Sequence, residues 1–240
     1  MPALRIRIGA RTFAPGLVPT LLMLPVLALL LGLGTWQLGR AEEKRALFEA
    51  FARGTDATSE LPPASRPAPR YTHVRLEGRY LPGRQVLLDN VTHAERVGYR
   101  VLTPLEREDG ETVLVDRGWV PLGRSRAVLP DVAVDAEPRA IAGRVDALPR
   151  AGIDLEAPEG SGWPRVASFP SMPELERALG RPLYPQIVLL DADQPDGYVR
   201  EWRPPGLPPE RHLGYAVQWY SLATALVVIW IVVNTRRTAE

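Results

Sequence analysis

Two long uncharged stretches interrupt an otherwise mixed chain. From Thr12 to Gly39 no residue carries a charge, and Leu17 to Leu38 is dominated by Leu, Val, Ala and Gly. A helix needs roughly 20 residues to cross a hydrocarbon core of about 30 Å, so a membrane-spanning helix is predicted over residues 15–38. A second uncharged stretch, Leu213 to Thr235, contains Leu222-Ala-Thr-Ala-Leu-Val-Val-Ile-Trp-Ile-Val-Val233 and predicts another span over residues 212–234. Pro19 and Pro25 would kink the first helix, which is tolerated in membranes where neighbouring groups satisfy the freed carbonyls. The competing reading of the first stretch is a secretory signal peptide with Arg5, Arg7 and Arg11 as its basic region. Against it, the apolar run exceeds the usual length of about 7–15 residues and ends in Gly34-Thr-Trp-Gln-Leu38 rather than an Ala-x-Ala cleavage site.

Between these stretches the period of the pattern changes. Ala41-Glu-Glu-Lys-Arg-Ala-Leu-Phe-Glu-Ala-Phe51 is rich in helix formers, with Leu47, Phe48 and Phe51 at helical spacing, and continues the first helix outward. Gly54 ends it, and residues 54–70, holding Pro62, Pro63, Pro67 and Pro69, form an extended connector. Short runs of β character then predict strands over His73–Tyr80, which alternates with a period of two, and over Gln85–Asn90, Gly98–Leu105, Thr112–Val120, Arg139–Val145 and Gln186–Leu190. Leu81-Pro-Gly-Arg84 and Asp109-Gly110 supply turns between them. One short helix is expected over Pro173 to Leu179, with Ser171 as N-cap and Glu174 completing a capping box. Pro149–Pro164 and Pro195–Pro209 read as surface loops, the latter leading to the second membrane helix. The pattern therefore predicts an α+β membrane protein, two transmembrane helices flanking a mostly antiparallel-β external domain, barrel- or sandwich-like, with few short helices.

Charge and composition narrow the function. With 29 Lys+Arg against 28 Asp+Glu in 240 residues, the net charge of +1 gives no basic footprint for nucleic acid. The absence of Cys excludes a disulfide framework, a thiolate zinc site, an iron–sulfur cluster and a Cys nucleophile. The placement of charge matters more than its sum. Arg5, Arg7 and Arg11 precede the first helix and Arg236 and Arg237 follow the second, so the positive-inside rule puts tails 1–14 and 235–240 in the cytoplasm. Residues 39–211 then form the domain on the far side, long enough to translocate regardless of charge and to bury a core of its own.

Catalytic motifs are scarce. Gly123-Arg-Ser-Arg-Ala127 approaches a nucleophile elbow but lacks the final Gly, and no phosphate loop, dinucleotide fingerprint or His-Glu-x-x-His helix is present. His73 and His93 lie in or beside strands, where a satisfied surface or core histidine is expected rather than a ligand. His212 opens the second membrane helix, and helical phasing places Tyr215, Ala216 and Trp219 on its face. Two readings stand for it: an aromatic belt at the membrane interface, or an axial ligand for haem above an aromatic slot. Trp36, Arg40 and Lys44 recur every four residues on the first helix as a facing wall, whose cations would meet propionates.

Three motifs carry a family resemblance. Gly34-Thr-Trp36-Gln37-Leu-Gly-Arg40-Ala-Glu-Glu-Lys44 resembles the Gly-x-Trp-Gln-x-x-Arg-x-x-x-Lys signature closing the first membrane helix of the Surfeit locus protein one family, the cytochrome c oxidase assembly factors. Gly98-Tyr-Arg-Val-Leu-Thr-Pro104 with Val113-Leu-Val-Asp-Arg117-Gly118-Trp119-Val-Pro121 is similar to that family's central strand pair. Arg211-His212-Leu-Gly-Tyr215-Ala216-Val-Gln218-Trp219-Tyr220 resembles its last motif. The resemblance implies a non-enzymatic role in building haem–copper oxidases, holding haem a or helping deliver it to oxidase subunit I beside other assembly or haem a synthesis proteins. Carried over by residue, His212 would ligate the haem iron, and Trp36, Gln37, Arg40, Tyr215 and Trp219 would line the membrane-level site. Arg117, Gly118 and Trp119 would shape the external domain, and their bland reading is structural, Gly118 relieving a close backbone approach while Trp119 fills a core. The alternative is a membrane scaffold that binds subunit I and other assembly factors without haem, Ala216 and Ala223 letting helices approach closely. The basic tail is too short for a mitochondrial transit peptide, so the expected location is a bacterial inner membrane, with a periplasmic central domain.

Overall fold

The computed structural model describes residues 5–54, 57–123, 126–149, 162–168 and 170–237. They divide into two compact units, one running up to Glu49 and resuming at Pro204, the other Ala50–Arg203.

The first unit is built on two helices long and apolar enough to cross a membrane, α1 (Leu17–Arg53) and α3 (Pro209–Val233). The apolar stretch and its charged extension form one uninterrupted α1 of 37 residues, longer at about 1.5 Å per residue than a bilayer core requires. Helix α3 begins ahead of His212, because Pro208 and Pro209 stand where a helix has no use for their missing N–H. The buried positions are Gly34 and Ala41 on α1 and Pro209, His212, Ala216 and Ala223 on α3, a narrow stripe along each helix. A small antiparallel sheet also belongs to this unit, in the order β1 (Ile6–Ile8), β2 (Arg11–Phe13), β11 (Thr235–Arg237). Asn234 ties it to the helices: its Oδ1 accepts the Gly16 N–H and its carbonyl the Ala14 N–H. Runs of three residues are too short for period-two alternation to register, so these strands were not predicted.

The second unit holds β3 (Thr58–Glu60), β4 (His73–Tyr80), β5 (Val86–His93), β6 (Arg96–Arg107), β7 (Thr112–Pro121), β8 (Pro138–Asp146), β9 (Arg165–Ala167), α2 (Met172–Leu179) and β10 (Ile187–Leu190). All six predicted strands are present, and of barrel and sandwich the chain adopts the barrel. The sheet runs β3-β4-β8-β10-β7-β6-β5-β9, and β4 pairs back onto β6 through Gly78–Tyr80, closing a barrel of five strands. Most pairings are antiparallel, while β10 with β7, β3 with β4, and β5 with β9 are parallel. Strand β3 lies in the connector expected to be merely extended, and β9 was also unforeseen; both add edges outside the closed ring.

Strand β4 alternates strictly, one face in the core and one exposed, whereas β7 is buried on both faces. Val113 and Val115 of β7 join Val74, Leu76, Leu105, Ile141 and Val188 in one core. Leu114 joins a second, beneath α2, with Leu102, Leu175 and Leu183. That double burial is why this strand reads as an almost continuous apolar run. In α2 the Glu174 carboxylate accepts the Ser171 N–H, the capping box expected, and this hydrogen bond holds Glu174 below the usual carboxylate range. The Pro195–Pro209 segment is more than a surface loop: Val199 exchanges backbone hydrogen bonds with Trp119 of β7. Residues 150–161 of the Pro149–Pro164 loop, and Arg124 and Ser125 of the Gly123–Ala127 segment, lie outside the described residues.

Candidate functional site

His212 stands in the first turn of α3 and is 9% exposed. Its Nδ1 lies 2.8 Å from Oε1 of Gln37 on α1. An amide oxygen can only accept, so Nδ1 donates, and in the neutral ring Nε2 carries the lone pair. Proteins fix the tautomer and orientation of a metal-binding imidazole in this manner, by a hydrogen bond to the nitrogen that does not bind. One turn before Gln37, a Cβ on Gly34 would fall 2.8 Å from the Tyr220 ring, so only glycine lets this ring lie against α1. The Tyr220 hydroxyl in turn sits 3.1 Å from Oγ1 of Thr35.

The remaining residues foreseen for this site are placed differently. Trp36 is 57% and Tyr215 42% exposed, and Trp219 is half-buried. The Arg40 guanidinium pairs with Glu43 along its own helix, and Lys44 Nζ donates to the Pro205 carbonyl at 2.9 Å. Of the facing wall expected from Trp36, Arg40 and Lys44, only Lys44 reaches the chain leading into α3, while the buried positions of α1 are Gly34 and Ala41. Of the six residues foreseen, only His212 and Gln37 are brought into hydrogen-bond contact. Tyr220 and Thr35 were missed; Tyr220, eight positions after His212, falls on the same helical stripe, and that spacing was the available signal. A neutral imidazole nitrogen is a donor of the kind that a haem iron accepts.

The second motif lies on β7. Asp116 is fully buried; its Oδ1 accepts the Gly118 N–H at 3.0 Å and its other oxygen pairs with Arg100. Burial pushes this carboxyl above the usual range, against the opposing pull of Arg100. Arg117 Nε donates to the Asp196 carbonyl at 2.6 Å and Nη1 to that of Val132 at 3.0 Å, with the guanidinium over the Tyr198 ring. Trp119 Nε1 donates to the Val91 carbonyl at 2.8 Å. Gly118 holds φ at +109°, and a Cβ there would meet the Val199 carbonyl oxygen at 2.6 Å. The Arg117 and Trp119 side chains thus reach the backbone carbonyls of Asp196, Val132 and Val91, tying β7 to three separate segments. His73 is bonded at both nitrogens, to Thr58 Oγ1 and to Asp191, and His93 packs on the Trp119 ring. Among the described residues, no group of three or more His, Asp or Glu side chains is arranged to hold a metal ion.

The SURF1 family model matches residues 24–224. A SURF1-like protein of Monosiga brevicollis is 28% identical over 246 residues, covering 90% of this chain and 87% of its own length. A SURF1-like protein of Rickettsia conorii is 24% identical over 224 residues, covering 88% and 89%. The Surfeit locus protein 1 of Takifugu rubripes is 28% identical over 125 residues, 44% of this chain and 51% of its own. The family match takes in Gln37, the whole barrel and His212.

Proposed function

Because the chain belongs to the SURF1 family, we propose that it is an assembly factor for haem–copper cytochrome c oxidase, binding haem a through His212 and assisting its insertion into oxidase subunit I or its stabilisation there. The observation that carries this reading is the Gln37–His212 hydrogen bond, which leaves Nε2 as the nitrogen able to meet an iron. Trp36, Tyr215 and Trp219 supply aromatic surface on the same two helices, and Arg40 and Lys44 supply cations at that level, each with a partner it would have to exchange for a propionate. The role is that of a carrier: His212 and Gln37 hold and orient, and no substrate is turned over. Oxidase subunit I and proteins of haem a synthesis are the partners that a carrier of this kind requires. The two apolar helices and the basic tails support a bacterial inner-membrane location, with both termini cytoplasmic and the barrel periplasmic.

The test is the visible absorption spectrum of the full chain, purified in detergent after co-production with the enzymes that make haem a. The parent is expected to carry a haem a spectrum and His212→Ala to lose it while remaining folded. Gln37→Leu is expected to weaken haem binding roughly 10–100-fold, the usual cost of removing the group that orients a metal-binding imidazole. If no variant holds haem and oxidase assembly still depends on the chain, a haem-free scaffold replaces the carrier. For that second reading Ala216 and Ala223 are buried already. An open groove of about 550 Å³ along Val217, Ser221, Thr224 and Val228 would offer surface to a partner helix.

A further inference from the structure

The small sheet of the first unit separates its side chains by the period of two. Arg7, Thr12 and Arg236 are register partners on one face, while Ile6, Phe13 and Thr235, with Arg11 and Arg237, occupy the other. The second face lines a cavity of about 730 Å³ together with Trp230, Ile231 and Val232 of α3. Arg11 and Arg237 stand directly opposite each other in the β2–β11 ladder. Like charges in that position repel, and among the described residues neither forms an ion pair. The body of the cavity is apolar: Phe13 meets Trp230 edge to face at 5.3 Å. The Trp230 Nε1–H is directed to Thr20 on α1.

We propose that this cavity binds an anionic phospholipid, its phosphodiester held between the guanidiniums of Arg11 and Arg237 and an acyl chain lying along Phe13, Trp230, Ile231 and Val232. Two guanidiniums in register form a fork for phosphate oxygens, and a bound anion converts their repulsion into attraction. The ligand must be both charged and oily, because one wall is cationic and the rest is hydrocarbon. A free phosphate ester would leave that hydrocarbon uncovered, and a zwitterionic lipid would bring its own cation to the arginine pair. The proposal rests on the reading of α1 and α3 as membrane-spanning, which sets the helix ends and the sheet at the level of lipid headgroups.

The experiment places the full chain in phosphatidylcholine nanodiscs doped with acyl-brominated phosphatidylglycerol or acyl-brominated phosphatidylcholine, and reads quenching of the Trp230 signal, isolated by difference from Trp230→Phe. Quenching by the anionic lipid is expected to be several-fold steeper, and R11Q/R237Q is expected to abolish the difference. R7Q/R236Q removes the same charge from the opposite face and is expected to leave it intact. Equal quenching by the two lipids, or equal loss in both double variants, would overturn the proposal, the latter outcome meaning general attraction to a basic surface. Excess glycerol phosphate is expected to leave quenching unchanged; displacement would mean a soluble phosphate ester is the ligand and would overturn the lipid assignment. A chain that enters nanodiscs of neither composition would refute the membrane reading itself, a result distinct from entry without lipid preference.

Discussion

Tyr80 lies inside the barrel, 1% exposed, and its hydroxyl has no hydrogen-bond partner among the described residues. Its ring packs beneath the guanidiniums of Arg117 and Arg139, at 5.6 and 5.4 Å. Burial pushes the phenol up to about 12, against the opposing pull of Arg117, so the folded chain keeps a proton that the unfolded chain gives up near 10.0. A folded value above the unfolded one contributes stability that is whole below pH 10 and disappears as pH rises through about 12. Tyr80→Phe keeps the ring and deletes the unpartnered hydroxyl. Its stability at neutral pH is expected to change by less than about 1 kcal/mol. The alkaline loss of stability is expected to become shallower, both read by urea denaturation of the full chain at a series of pH values. A neutral-pH loss of several kcal/mol would show that the hydroxyl is bonded after all. At this scale the sequence names residues without naming their company. His212 and Gln37 were both singled out, yet residues 175 positions apart do not announce a hydrogen bond. Trp36 drew notice for its chemistry and proved exposed, because type says nothing of helical phase.

At the scale of elements, the stripe of small residues governs how α1 meets α3. Gly34→Leu would drive carbon into the Tyr220 ring and separate Gln37 from His212. The chain has no Cys, so cysteines placed at Gln37 and His212 can be bridged by a short bis-maleimide. Bridging is expected to fall several-fold when Gly34→Leu is added, with the near-ultraviolet circular dichroism of the barrel unchanged; unaltered bridging would show that the stripe does not set the approach. The same physics explains which elements were legible. Long strands half-buried on a core must alternate, and β4 does so along its whole length; an apolar run the width of a bilayer has few alternatives. Three-residue strands carry too few positions for a period, and β1, β2, β3, β9 and β11 all escaped notice. Their existence depends on the neighbours they pair with, such as Asn234 beside β11 and the His73 end of β4 beside β3.

For the whole molecule, division into two units makes the residues from Ala50 to Arg203 a candidate for independent folding. The closed barrel supplies its own core, and Phe51 at its start packs on Tyr71 at 5.2 Å and beneath Arg144 at 3.8 Å. Produced alone, residues 50–203 are expected to be soluble and to unfold in one cooperative step followed by Trp fluorescence, since a 150-residue piece buries about two-thirds of its surface. Aggregation or non-cooperative melting would show that the helices are needed to complete it. The sequence by itself determined two apolar spans, a β-rich domain between them, the turn and cap residues, and the three family motifs. These depend on local composition and period, which short-range sterics and solvent exposure translate directly into structure. Only the tertiary structure decided that β4 returns to β6 to close a barrel, that Arg117 and Trp119 are anchored on distant carbonyls, that Gln37 rather than Trp36 meets His212, and that Arg11 and Arg237 share one cavity. Each of these joins residues far apart in the chain, where the choice of partner is set by packing of the whole and leaves no period along the sequence.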